Sequence, residues 1–596
     1  MSPASSSRKG TTADNLEKRP GLINLIKNEE TNIQFAPLPY LCTQKRTTFT
    51  KMKNILSLNH KEAMDFFMQT EQFHGFELPE YITFDKMLAY VKQRIGDTPY
   101  EECIKEDTPP ETLSDVNLDL LMNKDGKYAV RPLILANPYL YYFLVRELCS
   151  KEGWKTVKGC FQRFQVPHIT ACALPVITDR KEKFYKSNTI LHWWNSFEQR
   201  SVELSLEYRF MFSSDITNCY GSVNPQSFNL AFGVTDTTEA AKDNLAISAH
   251  IQQLLRAFQQ GRNIGIPQGS AIFDFLAEIL LGYADLRLHQ AIDAEGINVP
   301  YEVLRYRDDY RIFCNDKDQL ERISYLLQGV LESLNFRMNS QKTKISQSIV
   351  TDAIKADKLF YIYNTPIFNK KGTDFDSFEK HLLFILQFGR QYPNSGQLKT
   401  LLNDLDERME QYLEKQKAEK GVEVHFDIDG ENLRQEQGKE QEQHTFLPGG
   451  SVRAMAAVAV QIALENVTVC HYVLRVVSRM LETLDNEKEK RDIIVLMRQR
   501  LINYPNSKYN QLWLQNITYK YDKRKGQCPY DMRLCRLVAG EGDVVLWNND
   551  WLKEPFTKDI PYASCVNKQV LRKITPIIMF RERRAYDEAM ALGGER

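Results

Sequence analysis

The chain has 596 residues, which is too long for one ordinary hydrophobic core and predicts roughly two to four domains. Its composition, with 43% hydrophobic and 26% charged residues, is typical of a soluble globular protein, and its eleven cysteines lack the CxxC spacing of a zinc site. The 77 basic residues balance the 77 acidic ones, so the net charge neither indicates nor excludes binding to nucleic acid.

The beginning of the chain predicts a tail followed by a small helical extension. Residues 1–20 are rich in Ser, Thr, Lys and Arg, which predicts disorder, and they lack the apolar core of a signal peptide. Residues 21–110 contain helical patterns such as His60–Gln72 and Phe84–Ile95. The most apolar stretch, Val452–Val469, is interrupted by charged and polar residues, so it predicts a packed helix. We therefore predict a cytoplasmic protein without a membrane contact.

Two larger parts follow the extension. Residues 111–375 alternate apolar strand-like runs with long amphipathic helices, which predicts an α+β core. Residues 376–596 predict a mainly α-helical C-terminal domain. Its charged stretch near 404–450 predicts a linker or an insertion, and the first part of that stretch also fits a solvated helix.

The strongest chemical signal is a pair of aspartates between two strand-like runs. Asp308 and Asp309 lie within Leu304–Phe313, whose apolar and aromatic residues predict a hairpin with both carboxylates at its tip. A second apolar strand, beginning at Phe210, runs into Asp215. Two-metal phosphoryl transfer needs carboxylates from separate strands to hold hard cations about 3.5–4 Å apart. These three aspartates are therefore predicted to be catalytic metal ligands.

Two further segments accompany the aspartates. Gly265–Ser270 contains Pro267, which fixes a turn, Gly269, which allows a close backbone approach, and Ser270, which suits a helix N-cap. Downstream, Asn339–Lys344 supplies cations that would neutralise phosphates. An apolar helical run follows the first segment, and three acidic residues are assigned to its other faces: Asp274, Glu278 and Asp285.

In this order the segments resemble the palm motifs of reverse transcriptases. The family's motifs D-x-x-x-x-[FY], [FI]PQGS, Y-x-D-D and N-x-x-K-T correspond to Asp215–Tyr220, Ile266–Ser270, Tyr306–Asp309 and Asn339–Thr343. Upstream, Val130–Ile134 resembles the fingers motif R-P-L-x-I. The resemblance covers about 130–365 and implies a right-hand polymerase core of fingers and palm that uses two Mg²⁺ ions, with Mn²⁺ as a substitute.

The resemblance implies roles for individual residues. Tyr220 takes the place of the steric gate, whose ring would clash with a ribose 2′-hydroxyl and favour dNTPs. Arg307 departs from the small or aliphatic residue usual at its position, and Lys358–Ile362 resembles the primer-grip strands only loosely. The implied metal-binding set is Asp215, Ile216, Asp308 and Asp309. The implied nucleotide-binding set is Arg131, Lys127, Tyr220, Gln268, Gly269 and Lys342, and the implied primer or template contacts are Tyr306, Arg307 and Pro267.

The order of palm and C-terminal domain looks like that of prokaryotic unknown-group and abortive-infection reverse transcriptases, which act in antiphage defence. As in those enzymes, a large domain that is predicted to be helical follows the palm of this chain. The sequence shows no RNase H or HNH-like cluster. The resemblance implies dNTP substrates, an RNA template or associated non-coding RNA, or template-independent synthesis. It also implies a DNA product that is covalently attached when a protein hydroxyl serves as primer, and a homo- or hetero-oligomer.

Two other readings stay open. An RNA polymerase could use the same palm, although Tyr220 argues against it. A catalytically inactive palm could serve as an RNA-binding or assembly scaffold, although the three retained aspartates argue against that.

Overall fold

Two groups of β-strands organise the chain. The computed structural model describes residues 54–124, 129–175, 177, 194–234, 239–364, 378–421, 452–525 and 528–580. The predicted tail (1–20), Lys127 and residues 422–450 of the predicted charged linker lie outside the described residues. The strands are β1 (Leu118–Asn123), β2 (Val130–Leu135), β3 (Ile169–Ala171), β4 (Phe210–Thr217), β5 (Tyr301–Tyr306), β6 (Asp309–Cys314), β7 (Arg337–Met338) and β8 (Lys344–Ser346).

Helices surround these strands and form most of the C-terminal part. Up to the end of the strand-containing region they are α1 (His60–Phe67), α2 (Thr70–Phe73), α3 (Asp85–Ile95), α4 (Tyr100–Cys103), α5 (Pro138–Leu148), α6 (Lys151–Phe164), α7 (Arg200–Leu204), α8 (Cys219–Ser222), α9 (Ser227–Ala231), α10 (Glu239–Phe258), α11 (Ala271–Ala294), α12 (Lys317–Ser333), α13 (Ile349–Asp352) and α14 (Ala356–Asn364). The later helices are α15 (Phe378–Gln391), α16 (Gln397–Gly421), α17 (Val452–Glu465), α18 (Cys470–Glu482), α19 (Glu487–Ile502), α20 (Lys508–Lys525), α21 (Arg533–Ala539) and α22 (Lys568–Lys573). Short 3-10 helices lie at Ile55–Ser57, Pro110–Thr112, Val467–Val469 and Tyr562–Cys565, and a π-helix lies at Trp194–Gln199.

The larger sheet places β4 at its centre. Its order is β3-β5-β6-β4-β7, and β8 also pairs with β4. β3 runs parallel to β5, whereas the pairs made by β4, β5 and β6 with one another and with β7 and β8 are antiparallel. β1 and β2 form a separate antiparallel pair. Because β4 and β6 are neighbours, residues that are almost a hundred positions apart in the chain meet on this sheet.

Helix α11 is the central helix behind the sheet. Its 24 residues are mostly apolar, and it packs against α6, α9 and α12. Phe275 on this helix lies among Phe67, Trp154 and Phe161, with ring centroids 5.6–5.9 Å apart. A helix that is apolar nearly all round is buried, and this burial fixes α11 beneath the catalytic candidates.

The tryptophans of the C-terminal segment are core residues. Trp547 and Trp551 are fully buried, and Trp547 Nε1 donates a 3.0 Å hydrogen bond to the Leu135 carbonyl at the end of β2. Asn137, the N-cap of α5, donates a 2.8 Å hydrogen bond to Asn549. The segment after α21 therefore packs on the base of the β1–β2 pair and on the N-terminal helices, so these tryptophans are core residues that join distant segments.

The charged run that begins at Asp404 is helical as far as Gly421. Leu405 and Met409 on this part of α16 are fully buried. Asp406 is buried as well, and its carboxylate lies 2.7 Å from Arg475 Nε and 2.7 Å from Arg479 Nε. The prediction that Lys358–Ile362 forms primer-grip strands is wrong. This segment lies in α14, where Phe360 packs on Phe388 of α15 at 5.8 Å.

The predicted fold class, α+β with a mainly α-helical C-terminal part, is confirmed. All described residues lie in one compact unit, Met52–Arg596. The domain boundaries given above stay predictions. Among the described residues, no helix is both long and apolar enough to cross a membrane.

Candidate active site

The β5–β6 hairpin carries two of the three predicted catalytic aspartates. Tyr306 pairs with Asp309, so Arg307 and Asp308 form the two-residue turn. The predicted hairpin is confirmed, but its tip is Arg307–Asp308 and not the aspartate pair. Asp309 is instead the first residue of β6, where its backbone is held by the ladder.

The third aspartate stands beside this hairpin. Asp215 of β4 is in register with Asp309, and the Ile216 N–H donates a 3.1 Å hydrogen bond to the Asp308 carbonyl. The Asn339 N–H donates to the Asp215 carbonyl at 2.8 Å on the other side of β4. The sheet therefore brings together Asp215, Ile216, Asp308 and Asp309, the set that the sequence predicts.

Burial and mutual repulsion act on these carboxylates. Burial raises the pKa of Asp309 to about 6, and the nearby Asp308 carboxylate adds to this effect. Burial also raises the pKa of Asp308, and Asp215 contributes repulsion. The site thus holds negative charge that the surrounding residues do not fully compensate.

Lys342 partly compensates this charge. Its Nζ lies 2.6 Å from Asp215 Oδ2, although its side chain is 65% exposed. The turn that carries Lys342 is anchored to β4, because the Ser214 and Thr343 hydroxyls are hydrogen-bonded at 2.7 Å. The predicted basic segment therefore reaches the aspartates, and Lys342 is the residue that contacts them.

The residue types and their arrangement fit divalent cations. Asp215 Oδ1 is buried and has no hydrogen-bond partner, which leaves a hard oxygen ligand available. In the described ranges, no three Asp, Glu, His or Cys side chains are already arranged to hold a metal ion. Lys342 occupies the other oxygen of Asp215, so one of the three carboxylates is paired with a cation of the protein itself. Asp215, Asp308 and Asp309 are the residues that would hold Mg²⁺ once Lys342 leaves Asp215.

We predict that Asp309→Asn raises stability at neutral pH in the presence of EDTA. The folded-state pKa of about 6 lies above the usual value of 3.8, so the charged carboxylate destabilises the fold increasingly as pH rises from about 4 to about 6. The substitution removes this effect and should add about 1–3 kcal/mol to the free energy of unfolding at pH 7.5. Thermal unfolding of both proteins between pH 4 and 8 measures it.

The stabilisation of the Asp309→Asn protein should disappear near pH 4, where the native carboxyl is protonated as well. Saturating Mg²⁺ should also reduce it, because bound cations would offset the repulsion in the unsubstituted protein. Equal stability of the two proteins at pH 7.5 in EDTA would contradict this electrostatic description.

The Gly265–Ser270 loop joins the site to the smaller sheet. The Ile266 N–H donates to the Tyr220 carbonyl at 2.8 Å, and the Ile134 N–H of β2 donates to the Gln268 carbonyl at 2.9 Å. Gly269 has a φ of +129°, and a Cβ there would lie 2.4 Å from the Ile134 carbonyl oxygen. The glycine is therefore required by contact with β2. Ser270 is the N-cap residue of α11, as predicted, but its side chain makes no capping hydrogen bond.

We predict that Gly269→Ala destabilises the fold by roughly 2 kcal/mol or more, because the added methyl collides with backbone that cannot move aside and the positive φ disfavours any L side chain. Gly329→Ala is the matched control. Gly329 lies within α12 and nothing surrounds its would-be Cβ, so this change should be neutral or slightly stabilising. Chemical denaturation compares the two, and equal effects would contradict the prediction.

Beneath the Arg307–Asp308 turn lies a buried ionic cluster that the sequence did not predict. Arg305 of β5 is fully buried. Its Nε donates hydrogen bonds of 2.9–3.0 Å to the Asp285 carboxylate, and its Nη1 donates hydrogen bonds of 3.0–3.1 Å to the Glu278 carboxylate. Nη1 also donates to the Arg307 carbonyl at 3.2 Å, and the Tyr310 hydroxyl donates to Asp285 at 3.2 Å. This cluster attaches the hairpin to α11.

A second ionic contact lies closer to the surface. Arg307 Nη2 is 2.9 Å from Asp274 Oδ2, and the Tyr220 hydroxyl donates to Asp274 Oδ1 at 2.6 Å. Asp274 and Glu278 are four positions apart, and Asp285 follows seven positions later, so the three acids share one face of α11. The spacing of these acids could have revealed the ionic cluster, because three acids on one face of a mostly apolar helix require cations on the element that packs against that face.

The remaining predicted residues have the following positions. Arg131 is exposed on β2 opposite Met122, and Pro267 is buried. Tyr306 is half-buried, with its ring 6.0 Å from that of Phe197. Gln268 is half-buried and is joined to β2 through its backbone. Their predicted roles in binding nucleotide, primer or template stay predictions.

Comparison with known proteins supports a polymerase core. Residues 160–366 match the family model described as reverse transcriptase (RNA-dependent DNA polymerase). No curated protein matches the chain. Similar solved structures include telomerase from Candida albicans in complex with a fragment of telomeric RNA, at 12% identity, and apo telomerase from Candida tropicalis, truncated from the C-terminal domain, at 14% identity.

Both structural similarities are weak, with TM-scores of 0.26. The first covers 67% of this chain and 66% of that one, and the second covers 44% and 55%, so the chain spans less than two thirds of each. The family match, by contrast, contains all three aspartates, Tyr220, the Gly265–Ser270 loop and Lys342. Residues 160–366 are therefore a polymerase domain of the reverse-transcriptase type.

Proposed function

We propose that the chain is a DNA polymerase that adds dNMP units from dNTPs by metal-dependent nucleotidyl transfer. The observation that carries the proposal is the register of Asp215 with Asp309, beside Asp308 in the hairpin turn, within a domain that matches reverse transcriptases. Raised pKa values at Asp308 and Asp309 support a site that uses concentrated negative charge.

The residues around the aspartates would each have a role in nucleotidyl transfer. Two Mg²⁺ ions, or Mn²⁺ in their place, would activate the attacking hydroxyl and stabilise the leaving pyrophosphate. Asp215, Asp308 and Asp309 would hold them, and Lys342, displaced from Asp215, would face the triphosphate. Tyr220 would exclude a 2′-hydroxyl by the bulk of its ring, and Arg131 on β2 would bind phosphate oxygens.

We further propose that synthesis is directed by a non-coding RNA or proceeds without a template, and that it serves antiphage defence. The resemblance to unknown-group and abortive-infection enzymes supports this, as does the helical part that follows the palm. Restriction of phage growth by the unsubstituted protein, but not by Asp308→Asn, is the result that a defence role requires.

The proposal is tested by incubating the purified full chain, with its co-purified nucleic acid, with α-labelled dNTPs and Mg²⁺. Each dNTP is supplied alone and in combination, and products are separated on denaturing gels before and after protease or RNase treatment. We expect a Mg²⁺-dependent labelled product. A protease shift would identify a protein-linked product, and loss of synthesis after RNase pretreatment would identify an RNA template.

The same assay separates the alternatives. Incorporation of rNTPs in preference to dNTPs would favour an RNA polymerase. Absence of incorporation from any nucleotide, together with tight RNA binding, would favour a scaffold and would overturn the proposed function.

A further inference from the structure

Asp274 joins two groups that border the candidate nucleotide site. It lies in the first turn of α11, where one carboxylate oxygen accepts the Tyr220 hydroxyl at 2.6 Å and the other lies 2.9 Å from Arg307 Nη2. Arg307 is adjacent to Asp308 in the catalytic turn. One carboxylate thus connects the ring of Tyr220 to the turn that carries a catalytic aspartate.

The backbone of Arg307 is unfavourable for an arginine. Its φ is +53°, whereas Asp308 does not have a positive φ. A two-residue hairpin turn with positive φ only at its first central residue favours glycine at that position. A residue with a Cβ is strained in the left-handed region, because the Cβ comes too close to the following carbonyl oxygen. Fold stability alone therefore favours glycine over arginine here.

The Arg307–Asp274 pair does not outweigh that strain. The two side chains are 43% and 33% exposed, so water screens their attraction and the pair contributes little to stability. Strained residues that persist near a reactive group are a sign of function. What the arginine adds over glycine is a fixed charge that orients the Asp274 carboxylate toward Tyr220.

Tyr220 is held at both ends. Its carbonyl accepts the Ile266 N–H at 2.8 Å, and its hydroxyl is bound by Asp274. Burial and the Asp274 carboxylate both raise the pKa of Tyr220, so the hydroxyl stays protonated and remains a donor. A ring that rejects a 2′-hydroxyl by repulsion must not move aside, because steric repulsion falls steeply with distance.

We propose that Asp274 and Arg307 are positioning residues for sugar selection. Asp274 fixes the Tyr220 ring beside the nucleotide sugar, and Arg307 fixes Asp274 and links the ring to the catalytic turn. This inference rests on the proposed polymerase function and goes beyond it, since selectivity is assigned to a network of three side chains and not to the bulk of one ring.

Three variants test whether sugar selection depends on the position of the Tyr220 ring, on the bulk of that ring, or only on the stability of the fold. Tyr220→Phe keeps the ring but removes its hydrogen bond, Asp274→Ala removes both contacts, and Arg307→Gly relieves the backbone strain while removing the charge. The matched control is Asp293→Ala, on the same helix, because Asp293 is 66% exposed and contacts only His289 among the ion pairs of α11 described here.

Two readouts are compared. The first is the ratio of kcat/KM for dNTP over rNTP, and the second is the ratio of equilibrium affinities for dNTP and rNTP in Ca²⁺, which needs no turnover. We expect each of the three variants to lower both ratios about tenfold or more, mainly through tighter binding and faster use of rNTP. Combining Tyr220→Phe with Asp274→Ala should add little, because both break the same contact. Arg307→Gly should lower selectivity without lowering the melting temperature.

A merely structural role predicts a different pattern, in which activity with dNTP and rNTP falls in parallel and both ratios stay unchanged. That result, with dNTP incorporation intact in the unsubstituted protein, would overturn the inference and leave the polymerase function in place. Failure of the unsubstituted protein to bind or incorporate any nucleotide would instead overturn the proposed function.

Discussion

Asp308→Asn is expected to lower the rate of dNMP addition by about a thousandfold or more. Asparagine has nearly the shape of aspartate but no charge, so its carbonyl oxygen binds a divalent cation much more weakly than a carboxylate does and leaves the cation's charge unbalanced. Because burial and Asp215 raise the pKa of Asp308, removing its charge should not destabilise the fold. The measurement is single-turnover incorporation of a labelled dNMP, beside melting temperatures for both proteins.

Asp318→Asn is the matched control for this substitution. Asp318 is exposed in the first turn of α12, outside the palm hairpin, and it should retain full activity. A loss of activity in Asp308→Asn without a loss of folding, and with the control unaffected, would place the chemistry at the hairpin. Incorporation by Asp308→Asn within tenfold of the unsubstituted rate would contradict the site assignment.

Arg305→Ala is expected to destabilise the protein by about 3–5 kcal/mol, because it leaves the buried carboxylates of Glu278 and Asp285 without their cation. Burial already raises the pKa of both acids even with the arginine present. The deficit should therefore shrink as pH is lowered and the two groups take up protons. Adding Glu278→Gln and Asp285→Asn to Arg305→Ala should recover part of the loss. Chemical denaturation across pH measures each step.

Arg322→Ala provides the comparison for an exposed pair. Arg322 lies 3.1 Å from Glu295, but both side chains are about half exposed, so its removal should change stability by about 1 kcal/mol or less. If Arg305→Ala and Arg322→Ala had equal effects, the buried cluster would not hold the hairpin to α11 as described.

The part of the fold that carries the three aspartates was predictable because its signals are local. A strand that ends in an aspartate and an aspartate pair between apolar runs are visible in single segments, and the sheet then brings Asp215 and Asp309 into register. The exact turn was not predictable from residue type, since arginine is unusual at positive φ and its contacts with Asp274 and Arg305 form only in the folded chain.

Long-range packing accounts for what the sequence did not reveal. The acids of α11 were assigned to other faces of the helix, but they face two arginines of a hairpin that follows the helix in the chain. The primer-grip prediction for Lys358–Ile362 failed because packing of Phe360 on α15 favours a helix. Trp547 is likewise held in the core by a hydrogen bond to the carbonyl of Leu135, which lies more than four hundred residues away in the chain.

The measurement that tests nucleotidyl transfer most directly follows both ends of the triphosphate. The full chain is given dNTP labelled on the α-phosphate and, in parallel, on the γ-phosphate. We predict one α-label fixed in polymer for each γ-label released as pyrophosphate, in a reaction that requires Mg²⁺ and is lost in Asp308→Asn. Release of the γ-label as orthophosphate without fixation of the α-label, or nucleotide binding without either event, would contradict it.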